Sequence, residues 1–141
     1  MKRKLHVSMA VGQGQINKLI QQKNKRAGLL PGQSKVLEYI SENDGCSQKD
    51  ICDAWNLDRS TVSGLITRMK RDGLISIHEA EHDRRKKVIS LTESGMDKWK
   101  IMRSFIGDID KRAFAGISAK EQAELFDTLD RIHENIDKIT T

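Results

Sequence analysis

The stretch EHDRRKKVISLTESG places four consecutive cations, Arg84 to Lys87, behind Asp83. Upstream, Ser60, Thr61, Ser63 and Thr67 share one segment with Arg68 and Arg71. Cations hold anions, and hydroxyls hydrogen-bond anions or the edges of heterocycles, without making or breaking a covalent bond. A reaction would need other parts. There is no glycine-rich phosphate loop, no nucleophile elbow and no pair of metal-ligand motifs. The four histidines, His6, His78, His82 and His133, are scattered along the chain. The chemistry on offer is therefore binding of a polyanion; neither an enzyme nor a cofactor is expected.

Charge distribution supports this more than charge total does. The 141 residues carry 25 Lys+Arg against 20 Asp+Glu, a net charge of +5 and a pI near 9.3. That permits a polyanionic partner without requiring one. Residues 1–35 contain eight cations and no acid, and residues 58–87 contain eight cations against five acids. The second basic block holds both candidate groups.

The elements that must position these residues follow from spacing. Leu5, Met9, Gly12, Ile16 and Leu19 step by three and four, predicting a helix from 5 to about 26 with Gly12 and Gly14 weakening its first half. Pro31 suits the first turn of a second helix, whose apolar face is Val36, Leu37, Tyr39 and Ile40 and which Asp44-Gly45 stops. Ser47 and Asp50 resemble a capping box for a short helix with Ile51, Ala54 and Trp55 on one side. After a tight turn at Asn56-Leu57, Asp58 can cap a fourth helix. Its core face is Val62, Leu65, Ile66 and Met69, and Gly73 closes it.

Ile75 and Ile77 alternate with polar residues as a half-buried strand, and Lys87 to Thr92 alternates again. The two strands predict a hairpin whose tip is the charged loop EHDRRK. Thr92 caps a long helix with the seam Trp99, Met102, Ile106, Ile109 and Ala113. Ser118 and Glu121 form a capping box for a last helix with the seam Leu125, Leu129, Ile132, Ile136 and Ile139.

The order is mainly α with a small β-hairpin wing (α+β), a winged helix-turn-helix. On the fourth helix Ser60, Gly64, Thr67 and Arg71 lie opposite the core face, flanked by Thr61, Ser63 and Arg68. Such a face suits the major groove of double-stranded DNA, while wing cations reach the adjacent minor groove.

Residues 29–95 resemble the MarR family of bacterial transcriptional regulators. Asp83-x-Arg85 followed by Ile89-x-Leu91-Thr92-x-x-Gly95 is similar to that family's wing signature, and residues 58–75 to its recognition helix. The order and lengths of the outer helices extend the resemblance over nearly the whole chain. It implies one domain, 1–141, comprising a DNA-binding lobe, 29–92, and dimerisation helices at 1–28 and 93–141. The homodimer would bind a pseudo-palindromic operator, with repression the expected sign. Ser60, Thr61, Ser63, Thr67 and Arg68 would face the major groove, with Arg71 on the same face. Arg85 would enter the minor groove with Asp83 holding its guanidinium, and Arg84 and Lys86 beside it. Many relatives release DNA on binding a small, often aromatic, acid, so a small-molecule effector is a further expected partner. Gly64 departs from the pattern, standing where many relatives carry a larger polar or basic side chain, and can contribute little base readout.

Independently of the resemblance, the seams of the three end helices must cover each other, and a helical bundle shared by two chains does so economically. The alternative function is a winged-helix protein-interaction module without DNA binding; its contact face would be more apolar than this one. His78, Glu79, Glu81, His82 and Asp83 could suggest a metal site, but alternation along a strand turns neighbours to opposite faces, and no metal is expected. Cys46 and Cys52 are too few for a disulfide framework and are expected to be inert buried thiols. No apolar run approaches the ~18 residues of a membrane helix, and a cytoplasmic location without membrane contact is expected.

Overall fold

The computed structural model describes residues 3–140. Met1, Lys2 and Thr141, which the bounds 1–28 and 93–141 include, lie outside the described residues. The elements are α1 (Leu5–Arg26), α2 (Gln33–Glu42), α3 (Gln48–Trp55), α4 (Arg59–Arg71), β1 (Ile75–Ala80), β2 (Asp83–Leu91), α5 (Glu93–Ala113) and α6 (Ala119–Thr140). Two compact units divide the chain, residues 1–106 and 107–141, with α5 running across the division.

In the first unit the core gathers Val36, Leu37 and Ile40 of α2, Ile51 of α3, and Val62, Leu65, Ile66 and Met69 of α4, all at most 9 % exposed. Leu29, Cys46, Leu74, Ile75, Ile89, Trp99 and Met102 complete it. The buried sets of α2 and α4 repeat at three and four, which is what brings these short segments together as helices.

Local chemistry places the ends. Ser47 Oγ accepts from the Asp50 N–H at 3.1 Å while Asp50 Oδ2 accepts from the Ser47 N–H at 2.9 Å, so the shorter acid completes the capping box. Asn56 turns the chain in the left-handed region at φ 49°, and Asp58 caps α4. Pro31 does not begin α2. Gln33 N–H donates to the Leu30 carbonyl at 3.1 Å across Pro31-Gly32, and Gly32 sits at φ 86°. Proline then glycine at the centre of a turn explains the difference, since the second position needs positive φ. On α3 the inward side is Ile51, Cys52 and Trp55, while Ala54 is exposed; on α2 Tyr39 is only half-buried.

The wing roots are tied to α5. Thr92 N–H donates to the Leu74 carbonyl at 3.1 Å, and the Thr92 hydroxyl donates to the Gly73 carbonyl at 2.6 Å while accepting from Gly95 N–H at 3.1 Å. One threonine thus caps α5 and fastens it to the exit of α4. On the other side, Cys46 pairs with Ile89 as an isolated bridge.

The second unit holds the end of α5 and α6, with Phe114 and Phe126 edge to face at 5.8 Å. Ser118 and Glu121 form the expected box, Ser118 Oγ accepting from Glu121 N–H at 3.1 Å. No described residue of α6 is buried; Leu125, Phe126, Ile136 and Ile139 are exposed. In the first unit, α1 likewise exposes Leu5, Met9, Val11, Ile16 and Leu19.

Candidate nucleic-acid interface

The cationic run is not the loop that alternation predicts. β2 begins at Asp83 rather than Lys87, and the tip of the hairpin is a two-residue turn, Glu81-His82. The ladder pairs Ile77 with Ile89, His78 with Val88 and Glu79 with Lys87, and then Ala80 with Asp83. Arg84, Arg85 and Lys86 therefore stand between two successive partners with nothing opposite them, a bulge of three residues. All three are exposed cations. Unpaired backbone lets the strand bend there and carry its side chains away from the ladder.

Asp83 shapes that bulge mainly through the backbone. Its Oδ1 accepts from the Arg85 N–H at 3.0 Å, while Arg85 Nε stands 3.8 Å away, an ion pair without a hydrogen bond. The expected grip on the guanidinium is thus loose, and the grip on the main chain is firm. Lys87 is set apart from its neighbours: it faces Glu79 across the ladder at 3.6 Å, a pair with both partners more than half exposed that contributes little to stability.

On α4, Ser60, Thr61, Ser63, Gly64, Thr67, Arg68 and Arg71 are all exposed, opposite the buried Val62, Leu65, Ile66 and Met69. The helix therefore brings the six predicted α4 residues to its outer side, and the wing brings Arg84, Arg85 and Lys86 to one bulge with Asp83 at its edge. Asp58, to which sequence spacing assigns only a cap, does more. Its carboxylate accepts from Thr61 N–H at 2.7 Å, from Ser60 Oγ at 2.7 Å and from Thr61 Oγ1 at 2.8 Å. These bonds, the Thr61 N–H first, hold its pKa down at about 2. The signal was present as Asp-x-Ser-Thr, a spacing that a plain cap shares. Arg71 Nε bonds Asp72 at 3.2 Å.

A cavity of about 230 Å³ lies within the first unit, lined by Ile16, Ile20, Lys35, Trp55 and Ile106 among others. Lys35 Nζ stands 5.4 Å over the Trp55 ring. Among the described residues no group of three or more His, Cys, Asp and Glu is gathered as a metal site would require.

The thiols differ from one another. Cys46 is buried, and burial, followed by the charge of Asp50, pushes its pKa up to about 11. Cys52 is only half-buried, against the expectation of burial, because its side of α3 opens beside Gln48, Lys49 and Arg59. A thiol is nucleophilic only as thiolate, so Cys46 should resist iodoacetamide at neutral pH until the protein is unfolded. Mass spectrometry of the alkylated native chain should find Cys46 unmodified; its rapid labelling would show that it is not inert.

Residues 27–86 match a family model described as the MarR family. The matched stretch runs from just before α2 into β2. The chain is 31% identical to the transcriptional activatory protein BadR of Rhodopseudomonas palustris over 58% of its own length, and spans about half, 51%, of that relative. It is 27% identical to the homoprotocatechuate degradative operon repressor of Escherichia coli over 72% of this chain and 68% of that one. Among solved structures, a MarR-family regulator of Listeria monocytogenes complexed with 26mer DNA superposes with a TM-score of 0.88 at 26% identity, covering 96% of this chain and 90% of that one. The winged helix-turn-helix with flanking helices is thus the architecture that this chain shares with that regulator.

Proposed function

We propose that this chain is a MarR-family transcriptional regulator that binds double-stranded DNA sequence-specifically as a homodimer. The observation that carries this is the wing bulge, where the three residues released from the ladder are all exposed cations. A bulge fastened to a lobe that also exposes a hydroxyl-and-cation helix is poorly suited to an apolar protein partner. The Listeria relative's complex with DNA supports the same use of the lobe. In this reading Ser60, Thr61, Ser63, Thr67, Arg68 and Arg71 face the major groove, and Arg84, Arg85 and Lys86, shaped by Asp83, face the minor groove.

A second copy covers the apolar faces of α1 and α6, which places two lobes on a pseudo-palindromic site. The likeness to the E. coli repressor runs over more of both chains than the likeness to the activator, and repression is the proposed sign. The cavity beside Lys35 and Trp55 is the proposed seat of a small-molecule effector that releases DNA. None of the described helices is long and apolar enough to cross a membrane. The proposed location is the cytoplasm, where the DNA is, and a regulator of this kind needs no enzymatic step.

Light scattering should give twice the 16.0 kDa of one chain. A mobility shift on mixed-sequence duplex at low salt should show binding that weakens steeply as salt rises. A monomer at micromolar concentration, or no shift at low salt, would overturn the reading.

A further inference from the structure

Three of the four hydroxyls on the outer side of α4 have already spent their protons. Ser60 Oγ and Thr61 Oγ1 donate to Asp58, and Thr67 Oγ1 donates to the Ser63 carbonyl at 2.9 Å. A hydroxyl has one hydrogen and two lone pairs, so each of these presents only acceptor capacity outward. The Asp58 carboxylate stays ionised and cannot donate in return, and bonds to an ionised acceptor are about twice as strong as neutral ones. The two hydroxyls it holds are not free rotors.

That arrangement excludes most of what DNA offers. Phosphate oxygens, guanine O6 and N7, adenine N7 and thymine O4 are all acceptors and cannot pair with an acceptor. The donors on the major-groove edge are the exocyclic amino groups, N6 of adenine and N4 of cytosine. Gly64, one turn on from Ser60, raises no side chain beside it, and the space where a Cβ would stand is open to 4 Å.

We propose that Asp58 is a positioning residue that fixes Ser60 and Thr61 as hydrogen-bond acceptors, so that at the positions they face α4 favours adenine or cytosine on the near strand, through N6 or N4, over guanine or thymine. The inference rests on the DNA-binding reading above and adds to it which base atoms are read. It also separates the labour on the helix: Ser60 and Thr61 do not contact phosphate, and donors for guanine or the backbone come from Arg68 and its neighbours.

The test uses the full chain and a duplex selected from a randomised pool. Each adenine of that duplex is replaced in turn by purine, and each cytosine by pyrimidin-2-one, which remove only the amino group. Removal at one or two positions per half-site should weaken wild-type binding roughly five- to tenfold, the size of one or two neutral hydrogen bonds. At those positions Ser60→Ala or Thr61→Val should cost clearly less on the altered duplex than on the intact one, because the amino group it paired with is gone, the signature of a direct pair. Asp58→Asn, which keeps a capping oxygen, should reduce the effect of amino removal while the melting curve still shows a cooperative fold. Sequence preference that persists when every amino group in the half-site can be removed singly without loss would overturn the inference. So would an undiminished amino effect in Asp58→Asn. Failure of the wild type to shift any duplex would instead remove the DNA-binding reading, and the inference with it.

Discussion

Gly95→Ala should destabilise the chain severely, while Gly64→Ala should make it more stable. A Cβ built on Gly95 would lie 2.0 Å from the Leu74 carbonyl oxygen and 3.0 Å from its carbon. The obstacle is backbone, which cannot rotate aside as a side chain can. That carbonyl also accepts from Thr92 N–H at 3.1 Å, so moving it would break the bond that ties the wing root to α5. Gly95 is itself buried, with its N–H on the Thr92 hydroxyl. Forcing atoms into packed cores costs about 1–3 kcal/mol, more when the frame cannot give, and a loss of ~3 kcal/mol or more is expected here. That is a large share of a total of roughly 5–15 kcal/mol. Gly64 is the contrast: it is helical and exposed, and an added methyl meets nothing within 4 Å. Alanine there should add ~0.5–1 kcal/mol by limiting the unfolded chain. Denaturant midpoints of the two variants would measure both. A Gly95→Ala protein as stable as the wild type would mean that α5 does not approach the Leu74 backbone this closely.

How far the residues announce this structure varies with the kind of signal. Buried positions of α4, the capping residues Ser47, Asp58, Thr92 and Ser118, and the closing Gly73 are legible, because a core stripe and a helix end each demand particular residue types. Pro31 was ambiguous, since its fixed φ suits a helix start and a turn equally, and only Gly32 at positive φ settles it. The start of β2 was not legible. Alternation reveals a strand only where one face is buried, and Arg84 to Lys87 has no apolar partner to alternate with. A bulge is a matter of which backbone groups pair, and four like charges carry no record of that. The candidate site shows the same division. Exposure of Ser60, Thr61 and Thr67 follows from helical period, whereas the direction of their hydroxyl protons depends on distances to Asp58 and to the Ser63 carbonyl.

The bulge also changes what the wing residues should do when replaced. In the DNA-binding reading Arg85 enters a narrow minor groove, and Arg85→Ala should cost about 1–3 kcal/mol of binding, most at sites with an A·T-rich flank. Lys86→Ala should weaken all sequences alike and lower the salt slope by about one charge. Asp83 is the sharper case, because simple electrostatics predicts that removing an acid beside DNA tightens binding. Here Asp83 Oδ1 holds the Arg85 N–H at 3.0 Å and touches the guanidinium only at 3.8 Å. Its contribution is to fix a backbone that no ladder partner fixes, so that less freedom is lost when the wing docks. Asp83→Ala should therefore weaken specific binding despite the gain in net positive charge. Asp83→Asn keeps an amide oxygen able to accept from the same N–H, and should retain most of the wild-type affinity for the specific site. The two variants differ in one hydrogen bond and share the change of charge, so titration on one specific and one mixed duplex separates geometry from charge. If both bind specific DNA more tightly than the wild type with the fold intact, the wing is only a cloud of cations and the bulge has no part in recognition.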